Sequence, residues 1–176
     1  VKLAQTVSAA RMKKNFESLC AEFKKTEKSN KRHNLLERQD IIGSLAKALA
    51  EDLKEDIENK RIGLFYQPQV DYNGNVFSAE ALLRWKQANY GYIYPPLVIA
   101  LAEEYQIADW LGLEIIDQAC STIGRMKALG FHDIAISVNI TASQLEHEGF
   151  PAKLRQIIQK HQISPGALKI EITEQV

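Results

Sequence analysis

The chain has 176 residues, 45% of them hydrophobic and 25% charged, which is ordinary globular composition and enough length for one domain with additional structure. Lysine plus arginine equals aspartate plus glutamate at 22 each, so the net charge is zero; this excludes a general electrostatic footprint for a nucleic-acid polymer and leaves room for a local anion site. Cys20 and Cys120 have neither metal-site nor disulfide spacing, which fits a reduced, cytoplasmic setting, and no apolar run is long enough to cross a bilayer.

The chain starts at Val1 rather than at methionine and without a signal peptide, as expected of a segment of a longer protein. Residues 1–59 read as a helical linker or signalling region. Met12, Phe16, Leu19 and Phe23 recur at helical steps, and a basic connector follows from Lys24 to Asn34. A second helix puts Ile42, Leu45, Leu49 and Leu53 on one face. That face serves a dimer or docks on the domain that follows.

The texture changes from Arg61, and residues 60–176 read as one α/β domain. Ile62 to Val70 is a strand, and Asn73-Gly74 predicts a hairpin to a second, antiparallel strand. Pro68 fits an edge strand or a position near a strand end. On the second strand Phe77, Ala79, Ala81, Leu83 and Trp85 face one way; Ser78, Glu80, Leu82 and Arg84 face the other. Lys86 to Pro96 reads as a loop, and Pro95-Pro96 opens a helix through Glu104. A second helix is expected from Asp109 to Leu129, buried through Ile115, Ala119, Ile123 and Met126. Ile134 to Ile140 alternates as a strand, with Ser137 and Asn139 on its polar side. Thr141 and Gln144 match a capping box, Phe150-Pro151 opens another helix, and Leu168 to Glu174 is the last strand. This βαβ series predicts parallel strands after the hairpin.

The polar faces carry Glu80, Asn139 and Glu171, each expected near the C-terminal end of its strand. In a barrel that end is the catalytic rim. Two converging carboxylates need a cation or a strongly shifted pKa, and an all-oxygen set favours Mg²⁺, Mn²⁺ or Ca²⁺. Arg84 on the same face offers a fork for phosphate, so the pattern points to metal-assisted phosphoryl chemistry. An antiparallel sheet with one wet face gives the same alternation, and spacing alone does not choose between them.

Residues 61–176 resemble the EAL domain family of cyclic-di-GMP phosphodiesterases. The motifs are Tyr66-Gln-Pro-Gln-Val-Asp71, Glu80-Ala-Leu-Leu-Arg-Trp85, Gly91-Tyr-Ile-Tyr-Pro95, Leu101-Ala-Glu103, Ser137-Val-Asn139, Gln144-Leu145 and Glu171-Ile-Thr-Glu174. The resemblance implies a modified TIM-type (β/α)8 barrel with an antiparallel first strand, here running through about four strands after N-terminal helices. It implies hydrolysis of cyclic-di-GMP to linear pGpG with Mg²⁺ or Mn²⁺. It assigns metal binding to Glu80, Asn139 and Glu171, with Glu80 also catalytic, phosphate contact to Arg84, and pocket positions to Gln67, Leu82 and Pro95. The family often has His-Pro where Gln87-Ala88 stand, and phenylalanine where Val98 stands. Its Asp-Asp-Phe-Gly-Thr-Gly loop and later lysine, glutamate and glutamine have no counterpart up to Val176, so residues 1–176 by themselves are expected to be inactive. The alternatives are a cyclic-di-GMP receptor that does not cut its ligand, and an interaction fragment that forms a homodimer through its N-terminal helices. An upstream sensor or membrane domain would lie outside this sequence.

Overall fold

The structure is a computed structural model that describes the backbone of residues 33–173 and side chains between Ile42 and Ile172. The stripe from Met12 to Phe23, the basic run from Lys24 to Arg32, and Glu174 lie outside the described residues. The chain divides into two compact units, residues 1–49 and 50–176. Helix α1 spans His33–Glu58, so Asn34 is helical rather than part of a connector. In the first unit Ile42 and Leu45 are exposed. In the second unit Ala50, Leu53 and Ile57 are buried, at three- and four-residue steps. Of the expected apolar stripe, Leu53 is buried within the second unit, together with Ala50 and Ile57, which periodicity alone does not single out.

The second unit is built on a mixed sheet of order β1-β2-β4-β5, comprising β1 (Gly63–Val70), β2 (Val76–Gln87), β4 (Ala135–Thr141) and β5 (Leu168–Thr173). Strand β1 is at the edge, one of the two placements that suit Pro68, and antiparallel to β2, as the hairpin signal requires; β2, β4 and β5 are mutually parallel. The β1–β2 turn is held by the Asp71 carboxylate, which accepts hydrogen bonds from the backbone N–H groups of Asn73 and Asn75, both at 2.9 Å. Those bonds hold the Asp71 pKa below the usual carboxylate range.

Two sequence expectations change here. Phe77 does not continue the apolar face: the register skips from Gln69↔Ser78 to Val70↔Val76, leaving Phe77 unpaired in a bulge. Its ring is 48% exposed and lies 5.8 Å from the Lys169 ammonium. Second, Lys86 to Pro96 is not all loop. Strand β2 runs on to Gln87 and pairs with a short antiparallel β3, Gly91–Ile93. The buried Gln87 makes this turn, its Oε1 accepting from the N–H groups of Asn89 and Tyr90 while its Nε2 donates to Asp52 at 2.9 Å. A side-chain-templated turn of this kind has no apolar periodicity to announce it.

Helices α2 (Pro95–Glu104), α3 (Ala108–Ala128), α4 (Ala142–Glu146) and α5 (Phe150–Lys160) follow the expected order. The core joins Ala81, Ile136, Val138 and Ile140 of the sheet to Ile116, Ala119, Cys120 and Ile123 of α3 and Phe150 of α5. Ile115 and Met126, expected at the centre of this face, are only partly buried; Ile116 and Cys120 take their place. Strand β4 is buried on both faces apart from Asn139. Tyr66 ties β1 to α3 through a 2.9 Å hydrogen bond from its hydroxyl to Thr122.

On the outer side, Asp117 of α3 collects Lys160 and His161 at 2.8 Å and Lys60 at 3.3 Å. Burial raises its pKa, but the hydrogen bonds from Lys160, His161 and Lys60 outweigh that and lower it to about 2. A carboxyl depressed in the folded state stabilises above the unfolded pKa and loses that contribution as pH falls from about 4 towards 2. Asp117→Asn is therefore expected to cost about 1–2 kcal/mol at pH 7, with the gap to wild type closing as pH falls towards 2. Urea denaturation across pH 2–7 measures it, and a gap that stays constant with pH would rule out the ionic origin.

Candidate active site

The sheet face turned away from the core holds the polar residues singled out by sequence. Register places them together. Glu80 is opposite Gln67 on β1 and opposite Ser137 on β4, and Asn139 two residues on is opposite Glu171 on β5. Paired residues share a face, so Gln67, Glu80, Asn139 and Glu171 all point to the same side, with Leu82 and Arg84 further along β2. The closest contact is a hydrogen bond from Asn139 Nδ2 to Glu80 Oε1 at 2.7 Å. Glu80 and Asn139 are half-buried; Gln67 and Glu171 are exposed.

Glu80 is not at the end of its strand, as expected, but five residues into a twelve-residue one. Its pairing with β4 covers only Ser78 to Ala81, so Glu80 does lie near the end of the parallel-paired stretch. Beyond it β2 leaves the parallel ladder for the β3 hairpin. That departure opens a cavity of about 240 Å³ whose lining includes Leu82, Arg84, Pro95, Ile99, Glu103 and Asn139. Three of the expected pocket residues, Leu82, Arg84 and Pro95, thus meet Asn139 around one space, whereas Gln67 lies outside it on β1.

Among the described residues no carboxylate pairs with Arg84. Its Nη1 donates to the Leu83 carbonyl at 2.7 Å, and its guanidinium carbon lies 5.1 Å from the centre of the Phe65 ring. A guanidinium with no paired carboxylate among the described residues suits an incoming anion. Sequence reading passed over Phe65 and gave Ser137 no role. The Ser137 hydroxyl is buried and is the one buried side-chain polar atom among the described residues without a hydrogen-bond partner. It is next to Glu80 in register.

Glu80, Asn139 and Glu171 can each offer a side-chain oxygen, a set that fits a hard divalent ion better than zinc. Among the described residues no group of three or more His, Cys, Asp or Glu side chains is placed to hold a metal by itself. Two carboxylates and one amide would supply part of an octahedral shell, leaving the remaining positions to water or substrate.

The wall behind the cavity is fixed by a close approach. Gln144 completes the expected capping box on Thr141, and its Nε2 donates to the Ala108 carbonyl at 2.6 Å. A Cβ on Gly112 of α3 would stand 2.6 Å from that nitrogen. Gln144 is buried and held at both ends, so it cannot swing aside. Gly112→Ala is expected to cost about 1–3 kcal/mol by overpacking. A thermal or urea titration tests this; a variant as stable as wild type would show that Gln144 yields.

An open mixed sheet with helices on one face and a polar, carboxylate-bearing opposite face defines part of a TIM-like barrel. The family profile described as "EAL domain" matches residues 50–176, and the chain belongs to the EAL domain family. It is 34% identical over 127 residues to the bifunctional diguanylate cyclase/cyclic di-GMP phosphodiesterase MucR of Pseudomonas aeruginosa, covering 72% of this chain and 18% of that protein. It is 30% identical over 123 residues to the cyclic di-GMP phosphodiesterase PdeR of Escherichia coli, covering 70% and 18%. Among solved structures, a MucR phosphodiesterase complex with c-di-GMP superposes with a TM-score of 0.67 at 34% identity, covering 72% of this chain and 52% of that one. The chain thus spans about a fifth of these curated relatives and about half of the solved domain.

Proposed function

We propose that this chain forms the first part of a metal-dependent phosphodiesterase that opens cyclic-di-GMP to linear pGpG. The observation that carries this reading is the Glu80–Asn139 contact on one sheet face, with Glu171 next in register and Arg84, which pairs with no carboxylate among the described residues, at the adjoining cavity. Glu80, Asn139 and Glu171 would hold Mg²⁺ or Mn²⁺, which when bound supplies Lewis-acid activation of water and neutralises phosphate charge. Asn139 keeps the Glu80 carboxylate in place through its amide N–H. Arg84 binds and orients a phosphate, Leu82 and Pro95 bound the space beside it, and Gln67 faces Glu80 from β1. In the reaction one P–O ester bond breaks, the water oxygen goes to phosphorus, and a proton goes to the departing ribose oxygen.

Incubating the natural protein that contains this chain with cyclic-di-GMP and Mn²⁺ tests the reading, with pGpG separated chromatographically. Appearance of pGpG supports it. Saturable binding without cleavage would replace it with the receptor reading, and neither binding nor cleavage would remove both.

A further inference from the structure

We infer that Phe65 is a positioning residue for Arg84, holding the guanidinium over its ring so that the cation meets a phosphate already aimed. The inference deepens the phosphodiesterase reading and rests on it. Three observations converge. The guanidinium lies 5.1 Å from the Phe65 ring centre, within cation–π range. The residue opposite Arg84 on β1 is Gly63, where a Cβ would come within 3.3 Å of the Arg84 carbonyl and 3.9 Å of its Cβ. With no side chain there, the Arg84 stem is free to lie along β1 towards Phe65. Finally, Phe65 is itself braced, its ring meeting that of Tyr92 on β3 in a T-shaped contact with a centroid distance of 6.2 Å and an interplanar angle of 67°.

Phe65 is 48% exposed and does not belong to the hydrophobic core cluster. A long cation with several rotatable bonds loses conformational freedom when it grips an anion, and a ring that already restrains it lowers that cost. Stacking on the ring uses none of the guanidinium N–H groups, so those not donated to the Leu83 carbonyl remain for a phosphate oxygen.

The test uses Phe65→Leu and Phe65→Tyr. By NMR, Arg84 side-chain protons should be shifted upfield by the ring in the wild type and in Phe65→Tyr, and return to ordinary values in Phe65→Leu. In turnover of cyclic-di-GMP by the natural protein, Phe65→Leu should raise KM about tenfold with kcat changed far less, and Phe65→Tyr should restore it. In an Arg84→Lys background the same Phe65→Leu change should move KM less than it does in the wild type, since a compact ammonium gains less from the ring. An unchanged KM in Phe65→Leu, or no upfield shift in the wild type, overturns this inference while leaving the phosphodiesterase reading intact. A wild type that neither binds nor cuts cyclic-di-GMP overturns both.

Discussion

Replacing Glu80 with alanine is expected to lower cyclic-di-GMP cleavage by about a thousandfold or more, and to weaken Mn²⁺ binding measured calorimetrically. The carboxylate is the most enclosed acidic oxygen donor on the polar face, and its neighbour Asn139 is already oriented by it at 2.7 Å. On the proposed reading, the change removes one ligand and leaves the amide without its acceptor, which should displace the ion and the water it would activate. Glu80→Gln is the sharper variant, since it keeps the shape and removes the charge. It should lose activity nearly as far, because an ion of charge two is held chiefly by carboxylates. Glu80 is half-buried in a polar setting, so either variant should keep the wild-type far-ultraviolet circular dichroism. Turnover at the wild-type rate in Glu80→Gln would take the charge out of the mechanism.

The largest loss of stability is expected at Trp85. Its side chain is fully buried, and its indole Nε1 donates to Asp56 Oδ2 on α1 at 2.7 Å. The other Asp56 oxygen accepts from Arg61 Nε. The indole therefore links the sheet to the last turns of α1 within the 50–176 unit. Trp85→Ala removes the packing, leaves a cavity and strips the carboxylate of a donor; about 3–5 kcal/mol should be lost in urea denaturation. Trp85→Phe keeps most of the volume and should cost about 1–2 kcal/mol, chiefly the hydrogen bond. A loss below about 1 kcal/mol in Trp85→Ala would mean that the helix end and the strand are not held through this residue.

Much of this was legible in the residues. The Asn73-Gly74 signal, the alternation in β4 and the capping box at Thr141 each report a local rule, and local rules survive without tertiary context. The shared face of Glu80, Asn139 and Glu171 followed from parity along parallel strands. Phe77 was misplaced because parity holds only while the ladder is unbroken, and a bulge is visible only in the pairing. Strand β3 was missed because Gln87 builds its turn from one side chain. Phe65 escaped notice for a different reason: an aromatic residue in a strand reads as packing, and its service to Arg84 appears only when Gly63 is seen opposite that arginine. Where α1 is covered was likewise beyond a one-dimensional pattern, since a stripe records what a helix offers and not what takes it.

The reversed direction of β1 has a consequence for where the polypeptide arrives. Gly63 lies beside Arg84, so the link from α1 joins the sheet at the doorstep of the cavity. A first strand running with its neighbours would bring the same link in at the opposite rim, about 25 Å away over eight residues. Lengthening the peptide between Glu58 and Gly63 thus disturbs the threshold of the chemistry, whereas a tag grafted at Asn73-Gly74 hangs from the remote side.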